Sequence, residues 1–265
     1  MDGMVRERIE LKSRDEVEHI REASLLVHEV LEELARAVAP GVTTAELDRL
    51  AEARTRERGA VPAFKGYHGY PASLCISVND EVVHGIPSPD RVLRAGDIVG
   101  LDFGVVLRGF YGDAARSVPV GAVSPAARRL LSTTREALDR AIAAATPGAR
   151  LGDVGAVVQG LVESRGYSVV REFVGHGIGR RLHEPPQVPN FGVAGTGVRL
   201  RPGMVLALEP MVNAGGPEVV TLEDGWTAVT ADGSLSAHFE HTVAVTEDGP
   251  EILSLPGDRG AEADS

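Results

Sequence analysis

A displacement of 107 residues maps one part of this 265-residue chain onto another. Pro40-Gly41 falls on Pro147-Gly148, and Arg58-Gly59 falls on Arg165-Gly166. The same shift carries "RAGDIVGLDFG" (94–104) onto "RPGMVLALEPM" (201–211), with Gly96 over Gly203 and Asp102 over Glu209. An offset that survives from helix stop to strand end marks a duplicated unit, and it restricts the chain to two similar halves. Each half opens with two helices. Ser13 with Glu16 is a capping box before an amphipathic helix, whose apolar face is Val17, Ile20, Val27, Leu31, Leu34 and Val38. Pro40-Gly41 stops it, and Thr43 with Glu46 caps a second helix that ends at Gly59. "SPAARRLLSTTREALDRAIAAATPG" and "ARLGDVGAVVQGLVESRG" repeat the pair before further strand-like runs.

The expected fold is therefore α/β, a single domain over 13–255 with halves at about 13–120 and 121–255. A short arm, 1–12, precedes it. The small, polar, acidic stretch 256–265 is expected to be a disordered tail.

Bulk composition removes several classes of function. A net charge of −11 argues against broad DNA binding, which needs a basic surface. The charged N-terminus has no apolar core of a secretory signal, and no window approaches 18 uncharged apolar residues, so no membrane span is expected. One cysteine, Cys75, rules out an internal disulfide and fits a reducing, cytoplasmic compartment.

The two equivalent strands, "DIVGLDF" and "MVLALEP", are apolar runs ending in a carboxylate. Such an acid needs a partner, and a salt bridge to arginine is the plain explanation for one of them. A matched acid in each half points instead to a shared site between the halves. Each half adds a second acid at the start of a β-rich segment, Asp113 and Glu240, now displaced by 127. Four converging carboxylates repel unless cations neutralise them. "EFVGHGIGRRLHEPPQ" (172–187), glycine-rich and proline-terminated, is expected to be an irregular loop joined to a strand, with His176 supplying one nitrogen. Oxygen-rich donors with one imidazole suit two divalent ions of the Mn, Fe or Co type. Such a pair deprotonates water and polarises a carbonyl, which is the chemistry of amide or ester hydrolysis.

The motifs "NDEVVHGIP", "GDIVGLDFG", "GFYGDAARS", "VGHGIGRRLHEPP", "GMVLALEPMVN" and "SLSAHFEHTVAVT" resemble those of type I methionine aminopeptidases over roughly residues 10–255. That resemblance implies the pita-bread fold, two pseudo-symmetric halves around a dinuclear centre holding two divalent ions (Co, Mn, Fe or Zn). It makes Asp102 a ligand of one metal, Asp113 and Glu240 bridges, and His176 and Glu209 ligands of the other. It puts His84 near the scissile amide nitrogen and gives His183 the carbonyl and its oxyanion. Glu209 would also shuttle the proton of a metal-bridging hydroxide that attacks the first peptide carbonyl. Tyr67, Tyr70, Cys75 and Trp226 would line the methionine pocket; against this stands the plain role of aromatic core and inert buried thiol. A monovalent cation at Asn79, Glu81 and Ser236 belongs to the same family pattern. The implied substrate is the N-terminus of a nascent polypeptide with a small second residue, the implied enzyme a monomer, and docking on the ribosome fits the task. Three departures stand out: Leu182 where the family often has Phe, Phe64 where a member has Cys, and His238 where Gln is common.

Other readings fit less of the chain. X-Pro aminopeptidases and prolidases share the five ligands but usually carry an extra N-terminal domain. Type II enzymes have a long insertion between the His and the first Glu, whereas here His176 and Glu209 are 33 residues apart. "GHGIGR" lacks the G-x-G-x-x-G spacing of a phosphate loop, and no G-x-S-x-G marks a serine hydrolase. A non-catalytic binding protein of the same fold would be expected to have lost ligands.

Overall fold

The computed structural model describes residues 8–257. Residues 1–7 of the arm and 258–265 of the expected tail lie outside the described residues.

The repeat recurs in three dimensions. Helices α1 (Arg14–Ala37) and α2 (Thr44–Glu57) are answered by α3 (Pro125–Ala144) and α4 (Leu151–Ser164), α4 lying 107 positions beyond α2 at both ends. Both expected capping boxes form: Glu16 accepts from the Ser13 backbone N–H at 2.9 Å, and Glu46 from that of Thr43 at 2.8 Å. The turns match as well. Gly41 and Gly148 adopt φ +94° and +91°, left-handed values that favour glycine. Gly41 N–H donates to Leu93 O at 2.8 Å, and Gly148 N–H to Leu200 O at 2.9 Å.

A nine-stranded sheet, antiparallel at every pairing, runs through both halves. Its main path is Val61–Pro62, Ile98–Leu107, Phe110–Pro119, Glu240–Thr246, Val205–Leu208, Gly175–Gly177 and Glu184–Val188. Cys75–Val78 also pairs with Ile98–Leu107, and Gly249–Ile252 with Glu240–Thr246. The halves join where Glu240 opposes Ala115 and His241 opposes Ala114.

The helices cover one face of this sheet. In the first half, Val27, Leu31 and Leu34 of α1 pack with Leu101 and Phe103. In the second, Leu130 and Leu138 of α3 and Val158 of α4 pack with Leu206 and Leu208. Each fully buried side chain of this kind stabilises the fold by about 1.5–3 kcal/mol. Gly112 lets α1 approach: a Cβ there would lie 2.4 Å from Ser24 N. Because side chains alternate along a strand, the helix-side positions Leu101 and Phe103 send Asp102 to the opposite face.

Residues 172–187 keep the expected irregular course at 172–174 and 178–183, while 175–177 and 184–187 join it to the sheet. The latter stretches form two short paired strands, and His176 sits on one of them, inside the main sheet. The glycines serve close strand contact: a Cβ at Gly175 would lie 2.3 Å from Ala207 O, and one at Gly177 would lie 2.4 Å from Pro185 O. The chain bends at 179–183, the turn that carries His183.

Candidate active site

Strand register sends Cys75, Asp102, Asp113, His176 and Glu240 to one face. Cys75, Asp102, Ala115 and Glu240 are successive cross-strand partners, and partners share a face. Asp113 is two residues from Ala115, so it joins them. Thr242, two residues past Glu240, opposes Ala207, which in turn opposes His176. Glu209 follows that strand's last residue, Leu208, and completes the set by lining the same cavity. His241 falls on the other face, where its Nδ1 lies 2.9 Å from Ser254 Oγ.

These side chains line a cavity of about 290 Å³. Single ligand atoms of Asp113, His176 and Glu240 come within 4.8 Å of one another, and all three residues are buried. Glu209 lies between two imidazoles, 3.5 Å from His176 Nε2 and 3.6 Å from His238 Nε2. Burial lifts the Asp102 carboxyl to about 7 and that of Glu209 to about 8. Asp113 and Glu240 are pushed well above the ordinary carboxylate range, by burial first and then by the neighbouring acids. Burial also lowers His176 to about 3, keeping it neutral.

This donor set fits a divalent metal. Oδ1 of Asp113 and Oε1 of Glu240 are buried with no hydrogen-bond partner in the protein, a costly state for acids. His176 Nδ1 lies 3.0 Å from Gly177 O, which can only accept, so Nδ1 carries the proton. That leaves the Nε2 lone pair free and aimed among carboxylates, as in metal-binding histidines.

The remaining expected residues border the same cavity: His84, His183, Tyr67, Tyr70, Cys75 and Trp226, with Phe64 and Leu182 beside them. Tyr70 donates its hydroxyl proton to Gly85 O at 2.9 Å and stands edge-on to Trp226 at 5.2 Å. Cys75 is buried and its thiol is pushed well up by that burial, so it is inert. His84 holds a left-handed φ of +62° and meets Phe173 and Trp226 edge-on, at 5.2 and 6.3 Å. Burial lowers it to about 4. His183 Nδ1 lies 2.7 Å from the Tyr67 hydroxyl, and its ring is 4.2 Å from that of His176. Elsewhere, Asn79 and Ser236 are joined, Ser236 N–H donating to Asn79 O at 2.8 Å, while Glu81 accepts from Val78 N–H at 2.7 Å.

Sequence reasoning missed Phe173 and Met211, which also line the cavity, and saw His238 only as a family departure. Met211 had no signal beyond following Glu209. His238 had one, since it precedes Glu240 by two residues.

The sequence model of metallopeptidase family M24 matches residues 18–247. A methionine aminopeptidase of Clostridium acetobutylicum is 51% identical over 245 residues, covering 92% of this chain and 98% of its own. The chain belongs to metallopeptidase family M24. The solved methionine aminopeptidase of Thermotoga maritima superposes on this M24 chain with a TM-score of 0.93 at 48% identity, over 94% of this chain and 100% of its own. The two-halved fold expected from the motifs is thus the M24 fold. The prolidase of Pyrococcus furiosus shares that fold at a TM-score of 0.75 and 23% identity, over 93% of this chain but 66% of its own. Family membership and the buried Asp113, His176 and Glu240 cluster together indicate that the M24 chain binds divalent metal.

Proposed function

We propose that this chain is a type I methionine aminopeptidase, removing the initiator methionine from nascent polypeptides. The observation that carries the reading is one cavity with acids on its sheet face and Tyr70, Trp226, Leu182 and Phe173 on its walls. That combination fits an apolar side chain lying beside a hydrolytic centre. The relatives in Clostridium acetobutylicum and Thermotoga maritima, about half identical, are named methionine aminopeptidases, which supports the assignment.

Asp102, Asp113, His176, Glu209 and Glu240 would hold two divalent ions, among Co, Mn, Fe and Zn. When bound, such ions supply Lewis acidity and make water a nucleophile at neutral pH. The protein's own groups do the rest. Glu209 takes a proton from the attacking water at a carboxylate oxygen and returns it to the leaving nitrogen as the C–N bond breaks. With His183 protonated at Nε2, the Tyr67 hydroxyl, kept protonated by burial, donates to Nδ1. That leaves Nε2–H of neutral His183 as the donor to the carbonyl oxygen, where negative charge develops. His84, neutral beside Trp226, faces the amide nitrogen. Residues 13–255 act as one catalytic domain, monomeric and cytoplasmic, with the ribosome as the place where the substrate is met. A monovalent cation near Asn79, Glu81 and Ser236 would stiffen the wall carrying His84.

The test is a competition on chelator-stripped protein. With Co(II), Mn(II) or Fe(II) restored, methionine should be released from Met-Ala-Ser. Release of alanine from Ala-Pro-Ser instead would move the protein to the X-Pro branch, and no release with any ion would favour a binding protein.

A further inference from the structure

A buried ion pair ties the turn carrying His183 to the N-terminal arm. Lys12 Nζ lies 2.6 Å from Glu184 Oε2, with the two side chains 3% and 4% exposed. The other oxygen, Oε1, accepts the backbone N–H of Arg180 at 2.8 Å and of Arg181 at 3.0 Å. One carboxylate thus closes the 179–184 turn from within and fastens it to the arm. Gly179 makes room for this: a Cβ there would lie 2.5 Å from Lys12 Cε and 2.8 Å from Nζ. Both ends of the device are anchored. Lys12 N–H donates to Gly203 O at 2.7 Å, and Tyr111 N–H donates to Gly179 O at 2.8 Å.

Buried ion pairs contribute little net stability compared with apolar packing of the same volume. What this one adds is direction, because three charge-assisted hydrogen bonds converge on the residue that follows His183. Among the described residues, His183 itself makes one further hydrogen bond, between its Nδ1 and the Tyr67 hydroxyl. We propose that Lys12 is a positioning residue for His183, the arm fixing the turn so that the imidazole stands over the acids. The proposal rests on the role given to His183 above.

A double-mutant cycle on the full-length Co(II) enzyme tests it, with kcat, KM and bound Co(II) measured on Met-Ala-Ser. Lys12→Met should lower kcat tenfold or more, an order of magnitude typical of misplaced catalytic groups, with KM and metal content unchanged. In a His183→Ala background the same change should cost nothing further. An equal loss in both backgrounds, or no loss from Lys12→Met alone, overturns the proposal while leaving His183 its role. Full kcat in His183→Ala would instead remove that role, and the positioning claim with it. Should Lys12→Met fail to fold, Lys12→Met/Glu184→Gln enters the same cycle, since it removes both buried charges and keeps an acceptor for Arg180 and Arg181.

Discussion

Tyr67 and His183 meet hydroxyl to ring, 2.7 Å apart, beside the cavity that Glu240 and Asp113 also line. The contact holds the imidazole by its Nδ1. Tyr67→Phe removes a bond worth about 1 kcal/mol, so kcat should fall roughly fivefold. Metal content should not change. Steady-state kinetics with metal analysis checks this, and full activity in Tyr67→Phe would mean that something else orients His183.

The two histidines of 172–187 should separate by phenotype. His176→Ala removes a nitrogen donor, so the protein should lose metal and activity together. His183→Ala should keep its metals and lose roughly 10²–10³ in kcat, as when an oxyanion donor is deleted. Metal analysis of both purified variants decides it, and an emptied site in His183→Ala would reverse the division of labour.

Two glycines should respond in opposite directions. Gly175→Ala puts a methyl 2.3 Å from Ala207 O, on the strand that carries His176. Overpacking of this kind costs about 1–3 kcal/mol, and metal affinity should drop with the thermal midpoint. Gly160, on the exposed side of α4, has nothing within 4 Å of a Cβ. Gly160→Ala should stabilise by about 0.5–1 kcal/mol through helix propensity. Thermal denaturation of both variants gives the comparison.

Metal removal should change how stability depends on pH. In the metal-free fold, burial raises Asp102 from 3.8 to about 7 and Glu209 from 4.5 to about 8. A raised acid contributes stability that is fully present below its unfolded value and lost as pH rises through the folded value. Bound cations replace those protons. The gap in thermal midpoint between metal-loaded and metal-free protein should therefore widen from about pH 4.5 to 8. An equal gap at both ends would contradict the assignment of these acids to metal.

Much of this was legible before any coordinates, because the repeat is written in the parts of a sequence that are read most directly. Capping boxes and the Pro-Gly stop located α1 and α2, the repeat at 107 residues located α3 and α4, and the matched acids Asp102 and Glu209 located the site. That two short strands pair within 172–187 was not legible, for a physical reason. Glycines there relieve contacts with Ala207 and Pro185, partners 20 or more residues from Gly175 and 8 from Gly177, so local propensity read them as loop. Phe173 and Met211 were invisible for the same cause, since neither lies in a periodic run. The Lys12–Glu184 pair spans 172 residues and leaves no local pattern.

The most direct test of the central claim is a Co(II) titration of metal-free protein, followed by visible absorption and by methionine release from Met-Ala-Ser. Absorption that saturates at two equivalents per chain, with activity appearing along the same curve and absent in His176→Ala, is the predicted result. Saturation without methionine release, or activity at full level in the chelated protein, would contradict it.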